Sequence, residues 1–285
     1  PNDAFKWTSN IENLSIKPDF TYYIRPDNTI SFGGQLLTYD FTPGKANATS
    51  NGEKREFGQA NKRGVEASMY VGHDLKINSR ITIQYGIRYS HYDYKSLNGE
   101  YYDRIPVAIT TENPSGYVLK INKTDPNAVV ASYGNWEPRF ALNLNGNESS
   151  SFKLSYNRLV QYIHLMSNTA ASTPLDVWTS STNNIKPQIV DQVALGLFKN
   201  FGSEGNNYET SMEVYYKDLQ NQIDYADRAN LFLNPYFEKD LLFGKGRAYG
   251  VEFFLKKNVG KLTGWVSYTL ARTERKISGL NNDQW

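Results

Sequence analysis

Cysteine is absent from this 285-residue chain. That rules out a disulfide scaffold, thiolate chemistry and any Cys-ligated metal, and it fits an exported bacterial protein. No run of about eighteen apolar residues occurs, so the chain has no transmembrane helix. The net charge is only +2 and no basic block stands out, which leaves no case for a nucleic-acid surface. The three histidines, His73, His91 and His164, lie on separate segments without the Glu/Cys/His spacing that holds a metal. His91-Tyr92-Asp93 looks like a constellation only on paper, because adjacent strand residues point to opposite faces; His91 reads as interfacial. Gly244-Lys245-Gly246-Arg247 is Gly-rich and basic but leads into a strand rather than a helix, so it is not a phosphate loop. Neither a nucleophile elbow nor an EF-hand pattern appears. No enzyme, metal or cofactor is expected.

What the chain does have is aromatic residues, 14% of it with 21 Tyr, and alternation. Mean hydropathy is low, −0.59, but a barrel shows lipid only every second strand residue. The clearest stretch is 246–276. Tyr249, Val251, Phe253 and Leu255 share one parity, and after Asn258-Val259-Gly260-Lys261 the apolar set resumes as Leu262, Gly264, Val266, Tyr268 and Leu270. Pairing Lys257 with Leu262 sets Leu255 against Gly264, Phe253 against Val266 and Val251 against Tyr268, which puts both apolar rows on one face. Each arm runs about a dozen residues, against about five or six in soluble domains and roughly nine to eleven for a tilted membrane crossing. The alternative is a soluble β-sandwich with unusually long strands.

Four further hairpins precede it: 14–25 with 29–41, 62–77 with 81–94, 133–144 with 151–163, and 187–200 with 207–220. Between them, 42–61, 95–132, 164–186 and 221–245 read as loops. The fold class is therefore all-β: an antiparallel up-and-down transmembrane β-barrel, about ten strands of a larger one, with connections alternating between short and long. Greek-key sandwiches do not alternate in that way. Tyr22, Tyr23, Tyr85, Tyr89, Tyr92, Tyr94, Tyr156, Tyr162, Tyr215 and Tyr216 supply aromatic girdles, with parity turning Tyr23, Tyr92, Tyr94 and Tyr215 inward. Pro1-Asn2-Asp3 carries neither initiator Met nor signal peptide, and 279–285 read as the start of a loop, so the whole of 1–285 is read as one part of a barrel domain.

Several segments carry a family resemblance. The run Asn135-Trp136-Glu137-Pro138-Arg139-Phe140-Ala141-Leu142 resembles the WEPR segment of TonB-dependent outer-membrane transporters of the Bacteroidetes type. Ser155-Tyr156-Asn157-Arg158, Gln161-Tyr162-Ile163-His164-Leu165, Lys186-Pro187-Gln188, Ala194-Leu195-Gly196, Tyr215-Tyr216-Lys217-Asp218 with Asn221-Gln222-Ile223, and Tyr249-Gly250-Val251-Glu252-Phe253 follow in order across 133–275. Residues 1–132 match only as generic barrel. The resemblance implies a barrel of about twenty-two strands in the bacterial outer membrane, surrounded by lipid and filled by a plug domain that lies outside this sequence. It also implies energy from the TonB complex and, as in some relatives, a surface lipoprotein lid. Glu252 matches an acidic wall position that latches plug arginines, whereas Ala194 stands where the second acidic position is usual.

Ligand contacts in such a protein come from long-loop tips and the upper lumen. By position and parity the candidates are Tyr92, Tyr94, Tyr101, Tyr102, Arg104, Trp178, Arg228, Tyr236 and Phe237, with Arg139 and Gln161 on the wall. Glu137 and Arg139 lie two apart on one face, placed to pair with each other or with the plug. The ligand is a small molecule, oligosaccharide or peptide. Rival readings are a passive porin-type or structural barrel and a soluble adhesin or carbohydrate-binding sandwich.

Overall fold

A computed structural model describes the chain except for residues 1–3, 51–52, 59, 112, 167–176, 204–205, 227–228 and 230–233. The strands are β1 (Ala4–Ile16), β2 (Asp19–Arg25), β3 (Asn28–Ser50), β4 (Glu53–Gly58), β5 (Lys62–Lys76), β6 (Ile81–Ser96), β7 (Glu100–Pro106), β8 (Tyr117–Lys123), β9 (Val129–Asn147), β10 (Ser150–Gln161), β11 (Ile163–Met166), β12 (Val177–Ser180), β13 (Gln188–Ser203), β14 (Asn206–Tyr225), β15 (Leu241–Lys257) and β16 (Gly264–Ile277). One twelve-stranded antiparallel sheet runs β1-β3-β5-β6-β9-β10-β13-β14-β15-β16, with β2 and β4 also paired to β3. The two remaining sheets, β7–β8 and β11–β12, have two strands each and sit within long connections. β1 and β2 lie end to end along β3, the first on Leu36–Thr49 and the second on Asn28–Gly33. They part at Pro18, which has no N–H to give the ladder and whose carbonyl accepts from Gly34 N at 3.1 Å. Ten crossings result, in meander order, with connections alternating short and long.

Apolar rows run unbroken across strands. Ile83, Leu142, Leu154, Leu195, Val214, Val251 and Leu270 are successive cross-strand partners over seven strands. Their face is uncovered: Leu195 is 43% exposed, Leu270 64% and Met69 68%. Among the described residues no second sheet packs on them, which excludes the sandwich. An apolar face of this extent belongs in hydrocarbon.

The packed core lies instead at the long-connection end. Tyr39, Phe41, Tyr92, Tyr94 and Tyr162 form one cluster, and Met166, Ile185, Phe237 and Leu241 another. Two tyrosines lie over glycines. A Cβ on Gly64 would stand 2.2 Å from the Tyr92 hydroxyl, and one on Gly134 2.4 Å from that of Tyr89. At both positions the bare backbone lets a ring lie flat on the neighbouring strand.

Several expectations need correction. The hairpin of 246–276 slides by two residues: Lys257 pairs with Gly264, Leu255 with Val266, Phe253 with Tyr268 and Val251 with Leu270. The turn takes 258–263 instead of four residues, and a shift of two keeps every side chain on its face. The first crossing begins at Ala4, not at residue 14. The stretch 42–61 is mostly strand, since β3 continues to Ser50 and folds back as β4. The stretch 95–132 contains the β7–β8 hairpin and the start of β9, 164–186 contains most of β11 and all of β12, and 221–245 loses its ends to β14 and β15. Backbone pairing carries these segments where their side chains show no clean alternation. Tyr162 is not a girdle residue. β10 ends at Gln161, the chain turns, and the Tyr162 ring stacks inside on Tyr92 at 4.8 Å. Glu137 does not pair with Arg139 but lies 3.8 Å from Arg88, its direct cross-strand partner.

Candidate functional site at the barrel mouth

The described parts of three long connections, 97–128, 162–187 and 226–240, meet over the mouth and are joined there by a buried polar node. Lys62, the first residue of β5, places Nζ 2.5 Å from Glu238 Oε1 and 3.2 Å from Thr179 Oγ1. The other carboxylate oxygen of Glu238 accepts from Asn184 Nδ2 at 2.7 Å and Thr182 Oγ1 at 3.2 Å. Asn183 and Asn184 both donate to the Tyr102 carbonyl, at 2.6 and 2.7 Å, and Asn183 also donates to Asp103 Oδ1 at 2.8 Å. Burial by itself would raise the Glu238 carboxyl, but the charge of Lys62 and the bonds from Lys62, Asn184 and Thr182 hold it below the usual carboxylate range. A buried ion pair with its remaining lone pairs satisfied orients the groups around it.

Arg104 of β7 is a second tie. Its Nη2 donates to the Leu241 carbonyl at 2.6 Å, and its guanidinium lies 3.9 Å from the centre of the Tyr117 ring. The 3-10 turn Phe237–Asp240, carrying Glu238, is thereby held against the β7–β8 hairpin. His164 of β11 is enclosed, with Nε2 at 2.9 Å from Ser181 Oγ and no partner for Nδ1 among the described residues. Burial pushes its pKa down to about 4, so it is a neutral packing group.

The candidates read from the sequence fall into distinct places. Tyr92 and Tyr94 are buried in the aromatic cluster and Phe237 in the second cluster, where the Lys62 ammonium lies 5.1 Å from its ring centre. Tyr102 meets Tyr236 edge to face at 5.4 Å. Tyr101 is half-buried, whereas Trp178 and Tyr236 are 40% and 42% exposed. Gln161 is exposed and donates to the Ile163 carbonyl at 2.5 Å. Arg139 is exposed on the inner wall, beside a 260 Å³ hollow lined by Tyr70, Gln84 and Asn157. Arg228 lies outside the described residues. Tyr102, Arg104, Tyr236 and Phe237 are thus brought together with Glu238, while Arg139 and Glu252 stand on the wall. Glu252 is directly opposite Glu213, and neither makes an ion pair among the described residues. Sequence reasoning missed Lys62, Glu238, Thr182, Asn183 and Asn184. Only the Asn-Asn dipeptide offered a local signal, and its partners lie about 80 residues away.

A family model described as "TonB dependent receptor-like, beta-barrel" matches residues 2–284. The chain belongs to this family. Its members are receptors and not enzymes, and the barrel lies in the bacterial outer membrane. Solved structures agree on the fold. The FrpB iron transporter from Neisseria meningitidis (F3-3 variant) aligns with TM-score 0.60 at 12% identity, covering 96% of this chain and 37% of that one. The Serratia marcescens hemophore receptor HasR, a double mutant in complex with its hemophore HasA and heme, aligns with TM-score 0.59 at 14% identity, covering 95% and 43%. The copper transporter OprC gives TM-score 0.60 at 9% identity, covering 93% and 39%. The chain therefore spans about two fifths of the length of these structures. A comparison with curated proteins found no match.

Proposed function

We propose that this chain forms part of the wall and the mouth of an active outer-membrane transporter, which binds a ligand at the cell surface and imports it with energy from the TonB complex. One observation carries the reading. The long connections are tied into a roof by Lys62, Glu238 and Arg104, and that roof leaves Trp178 and Tyr236 exposed and Tyr101 half-buried. A ligand meets these aromatic residues first, with Gln161 and Arg139 below. Tyr92, Tyr94 and Phe237 serve by holding the roof, with Tyr102 and Arg104 shared between both tasks. The proteins of similar fold, HasR in complex with a hemophore and heme and the copper transporter OprC, support surface capture of a scarce nutrient. They do not choose among siderophore, cobalamin, oligosaccharide and peptide.

Glu252 with Glu213 opposite forms a carboxylate pair on the inner wall, and adjacent like charges there ask for a cationic partner. A plug domain supplies one in this reading. The test is uptake of a panel of the four ligand classes by a deletion strain complemented with the full-length protein, with and without a working TonB complex. Energy-dependent uptake of one class is the expected result. Ligand-independent leak that ignores TonB would favour a passive pore instead. Co-purification from solubilised membranes tests for a lipoprotein lid.

A further inference from the structure

The outer face carries a feature that transport does not use. Near the short-turn end lies a groove of about 610 Å³, in the range of small-ligand sites. Its upper edge is a row of direct cross-strand partners, Ile81, Leu144, Phe152, Leu197, Met212 and Phe253, spanning six strands. Two residues closer to the turns, the same face carries Gly146, Ser150, Lys199 and Thr210. Three of these four are too small to fill the space beneath large apolar neighbours, and that absence of bulk makes the groove. Ser150 is held back further, since its hydroxyl donates to Asn147 Oδ1 at 2.7 Å.

Two cations border it. Lys199 points outward at the level where the apolar rows end, and Arg80 borders the same groove three strands away, where its carbonyl accepts from Asn145 N at 2.7 Å. Neither side chain makes an ion pair among the described residues, and no Asp or Glu lines the groove. Glu148 lines an adjoining polar hollow under the turns, which shares Arg80, Ser150 and Phe198 with the groove. Two cations that border one groove without an ion pair attract anionic headgroups at the edge of hydrocarbon, and long basic side chains reach from apolar surface to that depth.

We propose that this groove is a binding site for an anionic glycerophospholipid of the periplasmic leaflet. One acyl chain lies along Leu144, Phe152, Leu197, Met212 and Phe253, and the phosphate sits between Lys199 and Arg80. The orientation follows from the family, whose short turns face the periplasm, and does not depend on the transport reading.

The experiment is native mass spectrometry of delipidated full-length protein titrated separately with phosphatidylglycerol, phosphatidylcholine and lipid A. Phosphatidylglycerol should be retained about 25-fold better than phosphatidylcholine, since each of the two basic side chains favours anionic lipid at a membrane surface by about fivefold. Arg80→Gln with Lys199→Gln should erase that preference. Thr210→Trp, which fills the groove without changing charge, should weaken both phospholipids alike. Lys199→Gln alone serves if the double variant fails to assemble. Equal retention of the two phospholipids, or a preference that survives the charge removal, overturns the site. Lipid A competing as well as phosphatidylglycerol overturns the leaflet assignment.

Discussion

Replacing Val251 with Arg is the sharpest test of which side chains meet lipid. Val251 stands in the aliphatic row between Val214 and Leu270, with Tyr249 on its mouth side and Phe253 on its turn side. Its neighbours in every direction are apolar or aromatic, so a guanidinium there has no ion partner within hydrocarbon. A cation at the bilayer midplane of a barrel costs about 2–4 kcal/mol, falling to about 0–1 near the interfaces. That cost lowers the folded-to-unfolded ratio by about thirtyfold to about seven-hundredfold. Thr269 is the control. It is the next residue on the opposite face, directly across from Glu252, where an added Arg meets water and a carboxylate; its cost should stay under about 1 kcal/mol. Val266, only two residues from the start of β16, should be intermediate or mild when changed to Arg. The assay is refolding of the full-length variants into phospholipid vesicles with guanidinium titration, followed by heat-modifiable gel mobility. If Thr269→Arg costs as much as Val251→Arg, or Val266→Arg costs more, the assignment of faces fails.

Glu238→Gln leaves the Lys62 ammonium buried without its counter-charge and should cost the roof about 3–5 kcal/mol, read as faster proteolysis of 97–128. The apolar pair Lys62→Met with Glu238→Leu should be far milder. Gly64→Val places a side chain where the Tyr92 ring lies and should destabilise by about 1–3 kcal/mol through overpacking, measured by thermal unfolding. His164 is buried neutral with its pKa pushed down to about 4, against an unfolded value near 6.5. Its contribution is therefore complete above about pH 6.5 and is lost as pH falls toward 4, amounting to about 3 kcal/mol. A His164→Gln protein should lose that slope in protease protection of the mouth between those pH values. Glu252→Gln should increase plug release or channel leak in the full-length protein, and leak equal to that of the parent would remove the latch role.

The number of crossings and the identity of their faces were legible in the chain because strand periodicity is local. A residue such as Val251 or Leu195 declares its face by its own neighbours in sequence, and a register slip of two, as in 246–276, leaves that declaration intact. Backbone pairing without side-chain alternation was not legible. β4, β7 and β11 are held by main-chain bonds, which any residue except Pro supplies, so their composition resembles loop.

The mouth was decided by tertiary structure alone. Lys62 and Glu238 are 176 residues apart, and nothing near either one reveals that the other will neutralise it. Tyr92 was assigned to the interior by parity, but only the fold shows that Gly64 makes room for its ring and that Tyr162 covers it. Alternation tells each side chain whether it faces lipid or lumen. Which inward groups touch, and which remain free for a ligand or a plug, depends on how the long connections fold back over the barrel, because those contacts join residues that the sequence keeps far apart.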